Sequence, residues 1–166
     1  DVAQEQAPPS SVQQSVPAWL VFSIFFVAIP FSNTYIRERE LGVLRRLRTT
    51  RLAAVSHGLG KLVPYFVVNQ AQVWLMLAVG VWLVPLLGGD ALVLRGSPLA
   101  LALMGAAVSI AALGLALLVS TLARTTEQAT LLSGLGNIVL AAIGGIMIPR
   151  FLMPDALQAF AQLSPM

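Results

Sequence analysis

Apolar residues run through this chain in long uncharged blocks separated by short charged clusters. Four blocks contain no Asp, Glu, Lys, Arg or His: Val16 to Ile36, Leu62 to Leu87, Pro98 to Ala123 and Ala129 to Ile148. The shortest, at about 20 residues and ~1.5 Å rise per residue, already reaches roughly the 30 Å of a bilayer's hydrocarbon core. The pattern therefore predicts an all-α fold, a polytopic membrane helix bundle with four spanning helices. Before the first block, residues 1–15 are polar and rich in Gln, Ser and Pro, as expected of an extended linker stub; residues 16–166 form the membrane domain. After the last block, Pro149, Pro154 and Pro165 punctuate a mildly apolar run too short to span. Residues 149–165 are expected to form an outer re-entrant hairpin, with a short helix starting near Asp155.

Composition agrees. Hydrophobic residues make up 57% of the 166 and charged residues 10%, well below the roughly one quarter of soluble domains. The net charge of +3 could suggest nucleic acid, but its distribution argues against that. Arg37, Arg39, Arg45, Arg46, Arg48, Arg51 and Lys61 fall between the first two spans and Arg124 between the third and fourth, so one face holds eight of the ten basic residues. Positive loops stay in the cytosol, which places the N-terminal stub outside. Trp19 and Tyr35 suit interfacial anchors at the two ends of the first span. The sequence has no cysteine, which excludes disulfides, thiolate metal sites and cysteine nucleophiles. It begins at Asp1 and ends just after a Ser-Pro pair, as a piece of a longer protein would.

The basic loop invites a chemical reading. From Leu41, helical spacing groups Val43, Leu44 and Leu47 on one side and Arg45, Arg46 and Thr49 opposite, which predicts an amphipathic helix. It could lie on anionic lipid or dock on a partner. The interleaved Glu38 and Glu40 favour a partner, since lipid anchoring has no use for them. The uncharged polar residues Asn33, Asn69, Gln70, Gln72, Ser109, Ser133 and Asn137 should face other helices or a polar passage; Asn69, Gln70 and Gln72 are the best group to touch a substrate or a second subunit. Pro30, Pro64 and Pro85 should bend or end their helices. Gly105 with Ser109, and Asn137, Ala141 and Gly145, form small-residue stripes that permit close helix approach.

Other chemistries lack their parts. No phosphate-binding G-x-x-x-x-G-K-[ST] occurs. His57 is the only histidine and has no carboxylate cluster beside it, so no metal site is expected. Ser133-Gly134 resembles an intramembrane serine nucleophile, but the one candidate base lies in another loop. The spans also lack the ionisable group that an ion-coupled carrier needs, so energy should enter from outside the membrane.

Three blocks resemble the membrane-spanning permease of ABC-2 type transporters. Arg37-Glu38-Arg39-Glu40-Leu41-Gly42-Val43-Leu44-Arg45-Arg46-Leu47-Arg48 is similar to the family's cytosolic E-R-E-x-G-x-L segment and its short basic helix. Leu113 to Thr125, followed by Gln128-Ala129, is similar to a family turn, and Gly144 to Pro149 with Met153-Pro154 and Leu163-Ser164-Pro165 to its outer hairpin. Where many relatives have Thr-Pro, this chain has Thr50-Arg51, which leaves the end of the basic helix open.

The resemblance implies a bacterial inner-membrane permease subunit lacking the family's first and last helices. It would pair with a second permease and with a separate ATP-binding cassette subunit that holds ATP and Mg; this chain would bind no cofactor and would not itself be an enzyme. Glu38, Arg39, Glu40, Gly42, Leu44, Arg45, Leu47 and Arg48 would then couple nucleotide-driven closure of that subunit to export, and Asn33, Asn69, Gln70, Gln72, Ser133 and Asn137 would line a pathway or a helix interface. Lipid-linked or polysaccharide cargo stays open as an alternative to small amphiphiles. From another class, a membrane scaffold or intramembrane enzyme with a basic surface anchor stays open too.

Overall fold

Proline chemistry shapes the first apolar stretch, which folds as two stacked helices, α1 (Ser11–Phe25) and α2 (Ala28–Glu40). The computed structural model describes residues 11–43, 54–94 and 97–143, and all its regular structure is helical. The break lies one turn before Pro30, which has no amide hydrogen for the Phe26 carbonyl and whose ring crowds that carbonyl. The backbone tightens in response: Phe26 N–H donates to Ser23 O and Val27 N–H to Ile24 O, both at 3.2 Å, and Ile29 N–H takes the Phe26 oxygen at 3.1 Å. Helix begins at Ser11, so the end of the expected linker is helical as well.

The second stretch forms α3 (Ala54–Ala78), one π-helical turn (Val79–Leu83) and the short α4 (Val84–Leu86). Pro64 neither ends nor interrupts α3, contrary to one of the two outcomes expected of it. Pro85 follows the π turn, where Val84 N–H reaches back five residues to Val79 O. That longer reach bypasses the Gly80 carbonyl, which accepts instead from Leu92 N–H at 3.1 Å. A Cβ on Gly80 would stand 3.0 Å from Leu92 Cδ2 and 3.2 Å from Val16 Cγ1, so only glycine lets the returning loop and α1 pack this closely.

The third stretch is α5 (Pro98–Leu122). Ser97 caps it by accepting Ala100 N–H at 3.2 Å, and Pro98 starts it where an amide hydrogen is not needed. A three-residue connection leads to α6 (Thr126–Ile143). There Thr125 Oγ1 accepts Gln128 N–H at 3.2 Å and Gln128 Oε1 accepts Arg124 N–H at 3.0 Å, a reciprocal arrangement that relieves the helix start of unpaired donors.

α5 is the axis of the bundle and touches α1, α2, α3 and α6. Its buried stripe is Gly105, Ser109, Ala112, Leu113, Ala116, Val119 and Ser120, mostly small, so neighbouring backbones approach closely. A Cβ on Gly105 would lie 3.2 Å from Val73 Cγ1 on α3. The main apolar core gathers Ile24, Phe25, Val27, Ala28 and Phe31 against Val73, Leu77, Ala112 and Ala116. Buried alongside are Ser32, Asn69, Ser109, Ser120, Ser133 and Asn137, while Leu75, Trp82, Leu103, Leu118 and Leu135 point outward. Polar groups inside and large apolar groups outside are what a lipid solvent selects.

Three helical segments are long and apolar enough to cross a membrane: Val12–Glu40, Gly58–Leu86 and Pro98–Leu122. Of the fourth expected span, Ala129 to Ile148, the described residues hold 129–143, within the 18-residue α6. The amphipathic segment from Leu44 to Arg51, including Arg45, Leu47 and Arg48, lies outside the described residues, as do Gly145 and the re-entrant segment 149–165.

Candidate functional site

Four charged residues in a row at the end of α2 cannot share a face, because each step along a helix turns the side chain by about 100°. Arg37, Glu38, Arg39 and Glu40 therefore radiate, and the bundle uses the two in the middle. Glu38 forms an ion pair with Lys61 in α3, the two side chains being 25% and 14% exposed. Lys61 Nζ also stands 5.1 Å from the centroid of the Tyr35 ring, within cation–π range. Arg39 reaches the other way: its Nη2 donates to Ala123 O at 3.0 Å and to Arg124 O at 3.4 Å. Ala123 is the C-cap of α5, so a guanidinium sits on the negative end of that helix and satisfies a terminal carbonyl. Directly beneath, Ile36, Val119, Ala123 and Ala129 form a small apolar cluster.

One turn of α2 thus fastens three helices at the basic end of the bundle. Arg37, Glu40 and Leu41 remain outside it, and all three are exposed. α2 stops there because Gly42 adopts φ +70°, a left-handed conformation that glycine enters without steric cost. Leu41 N–H closes on Arg37 O at 2.9 Å and Gly42 N–H on Arg39 O at 3.2 Å. The glycine ends one helix and re-aims the chain towards the basic segment.

The residues expected at a pathway or a helix interface lie on several helices. Asn33 Nδ2 donates to Thr130 Oγ1 of α6 at 3.0 Å, and Gln70 Nε2 to Ser109 Oγ of α5 at 2.9 Å. Asn137 Nδ2 donates at 3.3 Å to the Phe22 carbonyl, which the break in α1–α2 leaves without its usual helical donor. Asn69, Ser133 and the Asn137 carbonyl oxygen are buried with no hydrogen-bond partner among the described residues. Gln72 is half-buried. Three of the expected residues, Asn33, Gln70 and Asn137, are therefore helix-to-helix ties. Ser133 Oγ is buried and has no hydrogen-bond partner among the described residues.

Sequence reasoning took Lys61 as a topology marker and Tyr35 as an interfacial anchor; both belong to the fastening. The signal was present, since Lys61 is a lone cation where α3 enters its apolar stretch, beside a helix end carrying Glu38. The carbonyls of Ala123 and Arg124 left no signal in their side chains. Thr130, and Thr34 with Tyr65, whose hydroxyls lie 3.3 Å apart, were missed as well.

The family model for the ABC-2 type transporter matches residues 3–166. This chain belongs to the ABC-2 type transporter family. It is a multi-pass membrane protein whose domain serves transport as a permease and is not itself a catalytic domain. Neither a curated protein nor a solved structure matches it. The fastening of α2, α3 and α5 thus lies in the segment that resembles the family's E-R-E-x-G-x-L motif, and in this ABC-2 permease Glu38 and Arg39 are bonded to neighbouring helices.

Proposed function

We propose that this chain is the membrane subunit of an ATP-driven exporter in a bacterial inner membrane, with its basic end in the cytosol. A separate ATP-binding cassette subunit hydrolyses ATP with Mg, and a second permease copy or paralogue completes the passage. The observation that carries this is the division of labour at the end of α2. Glu38 and Arg39 tie α2 to α3 and α5, while Glu40 and Leu41, one residue further on, face outward, Leu41 with 73% of its surface exposed.

A push delivered to the exposed turn is passed to three spanning helices at once, because ion pair, guanidinium cap and the apolar cluster beneath them leave α2 no freedom to move alone. Rigid-body motion of packed helices is an established route to alternating access. The uncharged stretches Val16 to Ile36, Leu62 to Leu87, Pro98 to Ala123 and Ala129 to Ile148 hold no Asp, Glu, Lys, Arg or His that could couple transport to an ion gradient. The basic segment from Leu44 through Arg45, Leu47 and Arg48, expected from the sequence to be amphipathic, would extend the same contact surface.

The test uses residues that the bundle does not need. Glu40→Lys and Leu41→Asp should abolish co-purification of the ATP-binding subunit and lower its stimulated ATPase rate, with the melting temperature of the permease unchanged. If both variants retain the partner and the ATPase rate, energy does not enter here, and a scaffold role becomes the better account.

A further inference from the structure

A groove of about 660 Å³ runs between α2 and α6. Its lining is graded. Arg37 and Glu127 stand at the basic end, where the spans meet the polar connections; Asn33, Thr34 and Thr130 follow, and Pro30 and Leu131 lie deepest. Seven residues of helix separate Pro30 from Arg37, roughly 10 Å along the axis. The groove therefore descends from charged through hydroxyl and amide to apolar lining over the depth at which a bilayer changes from headgroup to acyl chain.

Its middle is occupied with itself. Thr34 Oγ1 donates to Pro30 O at 2.8 Å, Thr130 Oγ1 to Thr126 O at 2.9 Å, and Asn33 to Thr130 at 3.0 Å. The two charges at the rim differ, since neither the Arg37 nor the Glu127 side chain has an ion-pair or hydrogen-bond partner among the described residues. They are of opposite sign, line the same groove and do not meet each other. Cationic pockets between spanning helices bind lipid phosphates, and a carboxylate beside such a pocket adds a place for an ammonium.

We infer that this groove binds a zwitterionic aminophospholipid from the adjoining leaflet, the phosphate on Arg37, the primary ammonium on Glu127 and the glycerol–acyl junction against Pro30 and Leu131. An anionic headgroup without an amine would meet repulsion from Glu127. A quaternary amine would lose its hydrogen bonds to the carboxylate. The inference needs only the groove and its place at the edge of the bundle, and stands whether or not an ATP-binding subunit drives the chain.

The probes are phosphatidylethanolamine, phosphatidylglycerol and phosphatidylcholine of matched acyl chains, added to the full-length permease in detergent, with retention read by native mass spectrometry. Wild type should hold phosphatidylethanolamine about tenfold more tightly than the other two, the size of one charge-assisted hydrogen bond. Glu127→Gln should erase the preference while keeping phosphate binding, and Arg37→Gln should weaken all three lipids. Arg37→Lys should restore them. Both positions are exposed, so fold is checked by an unchanged melting temperature. Equal retention of the three lipids by wild type, or a preference unmoved by Glu127→Gln, overturns the assignment. Leu131→Cys gives a cross-linking site in the groove, where this 166-residue chain has no cysteine of its own; efficient cross-linking to a second copy or another protein in the bilayer, absent without the substitution, would show a protein there and overturns it too.

Discussion

Arg39 Nη2 lies 3.0 Å from the carbonyl oxygen of Ala123, so a side chain from the end of one spanning helix closes the end of another 84 residues away. The contact is a charge-assisted hydrogen bond at a helix C-terminus, where a cation is favoured by about 0.3–1 kcal/mol in exposed settings and more when partly buried. Arg39→Ala should lower stability by about 1 kcal/mol, measured by thermal unfolding in detergent. Because Glu40 and Leu41 stay in place, the variant should keep its ATP-binding partner and ATPase rate but lose transport. Arg39→Lys offers a single point donor for two carbonyls and should recover only part of the loss.

The Glu38–Lys61 ion pair holds the other side of the same turn. With both side chains mostly covered, removing one partner strands the other charge beside the apolar bundle, whereas removing both does not. Glu38→Gln and Lys61→Met should each cost about 1–2 kcal/mol, and the double variant less than their sum, with a coupling of at least ~0.5 kcal/mol in a double-mutant cycle. Lys61→Arg should be the mildest change, because a guanidinium can serve both Glu38 and the Tyr35 ring. Additive losses would mean that the two charges act independently.

How far the sequence disclosed this arrangement depends on the kind of force involved. Long apolar helices were legible because exclusion of charge from lipid acts on every residue of a stretch, and three of the uncharged stretches coincide with helical segments long and apolar enough to cross a membrane. The break before Pro30 was legible because the missing amide hydrogen is local. Which of Arg37, Glu38, Arg39 and Glu40 would face the bundle was not legible: their phase depends on where α2 packs against α5, and α5's small-residue stripe admits several rotations. Partners that are backbone atoms, such as Ala123 O and Phe22 O, leave no mark in side-chain identity. That is why Asn137 could be expected at a pathway or a helix interface while its partner, the Phe22 carbonyl, could not be named.

Asn137 and Pro30 should be coupled through that break. Pro30 draws Phe26 N–H onto Ser23 O, leaving Phe22 O for Asn137. Asn137→Ala should cost about 0.6–1.7 kcal/mol, the range for interhelical hydrogen bonds in lipid. In a Pro30→Ala background, the amide hydrogen gained at that position can take the Phe26 carbonyl, the helix can run straight, and Phe26 N–H can return to Phe22 O. The cost of Asn137→Ala should then fall towards zero. An undiminished cost would mean that Asn137 stabilises the bundle by packing alone.

Asn69 gives the opposite sign. Its side chain is 1% exposed, and neither amide atom has a hydrogen-bond partner in this conformation among the described residues. A buried unpaired polar group costs about 1–3 kcal/mol against an apolar group of similar shape, and Leu is close in size to Asn. Asn69→Leu should therefore raise the melting temperature of the permease. A residue kept at the expense of stability in one state is expected to gain partners in another, so the same variant should transport more slowly while retaining its ATP-binding subunit. Gln70 is the internal control, since its amide is already tied to Ser109 at 2.9 Å: Gln70→Leu removes a made bond and should lower the melting temperature. If Asn69→Leu is the one that melts earlier, the amide has a partner in the resting transporter, and the membrane-embedded conformation differs from this one around the middle of α3.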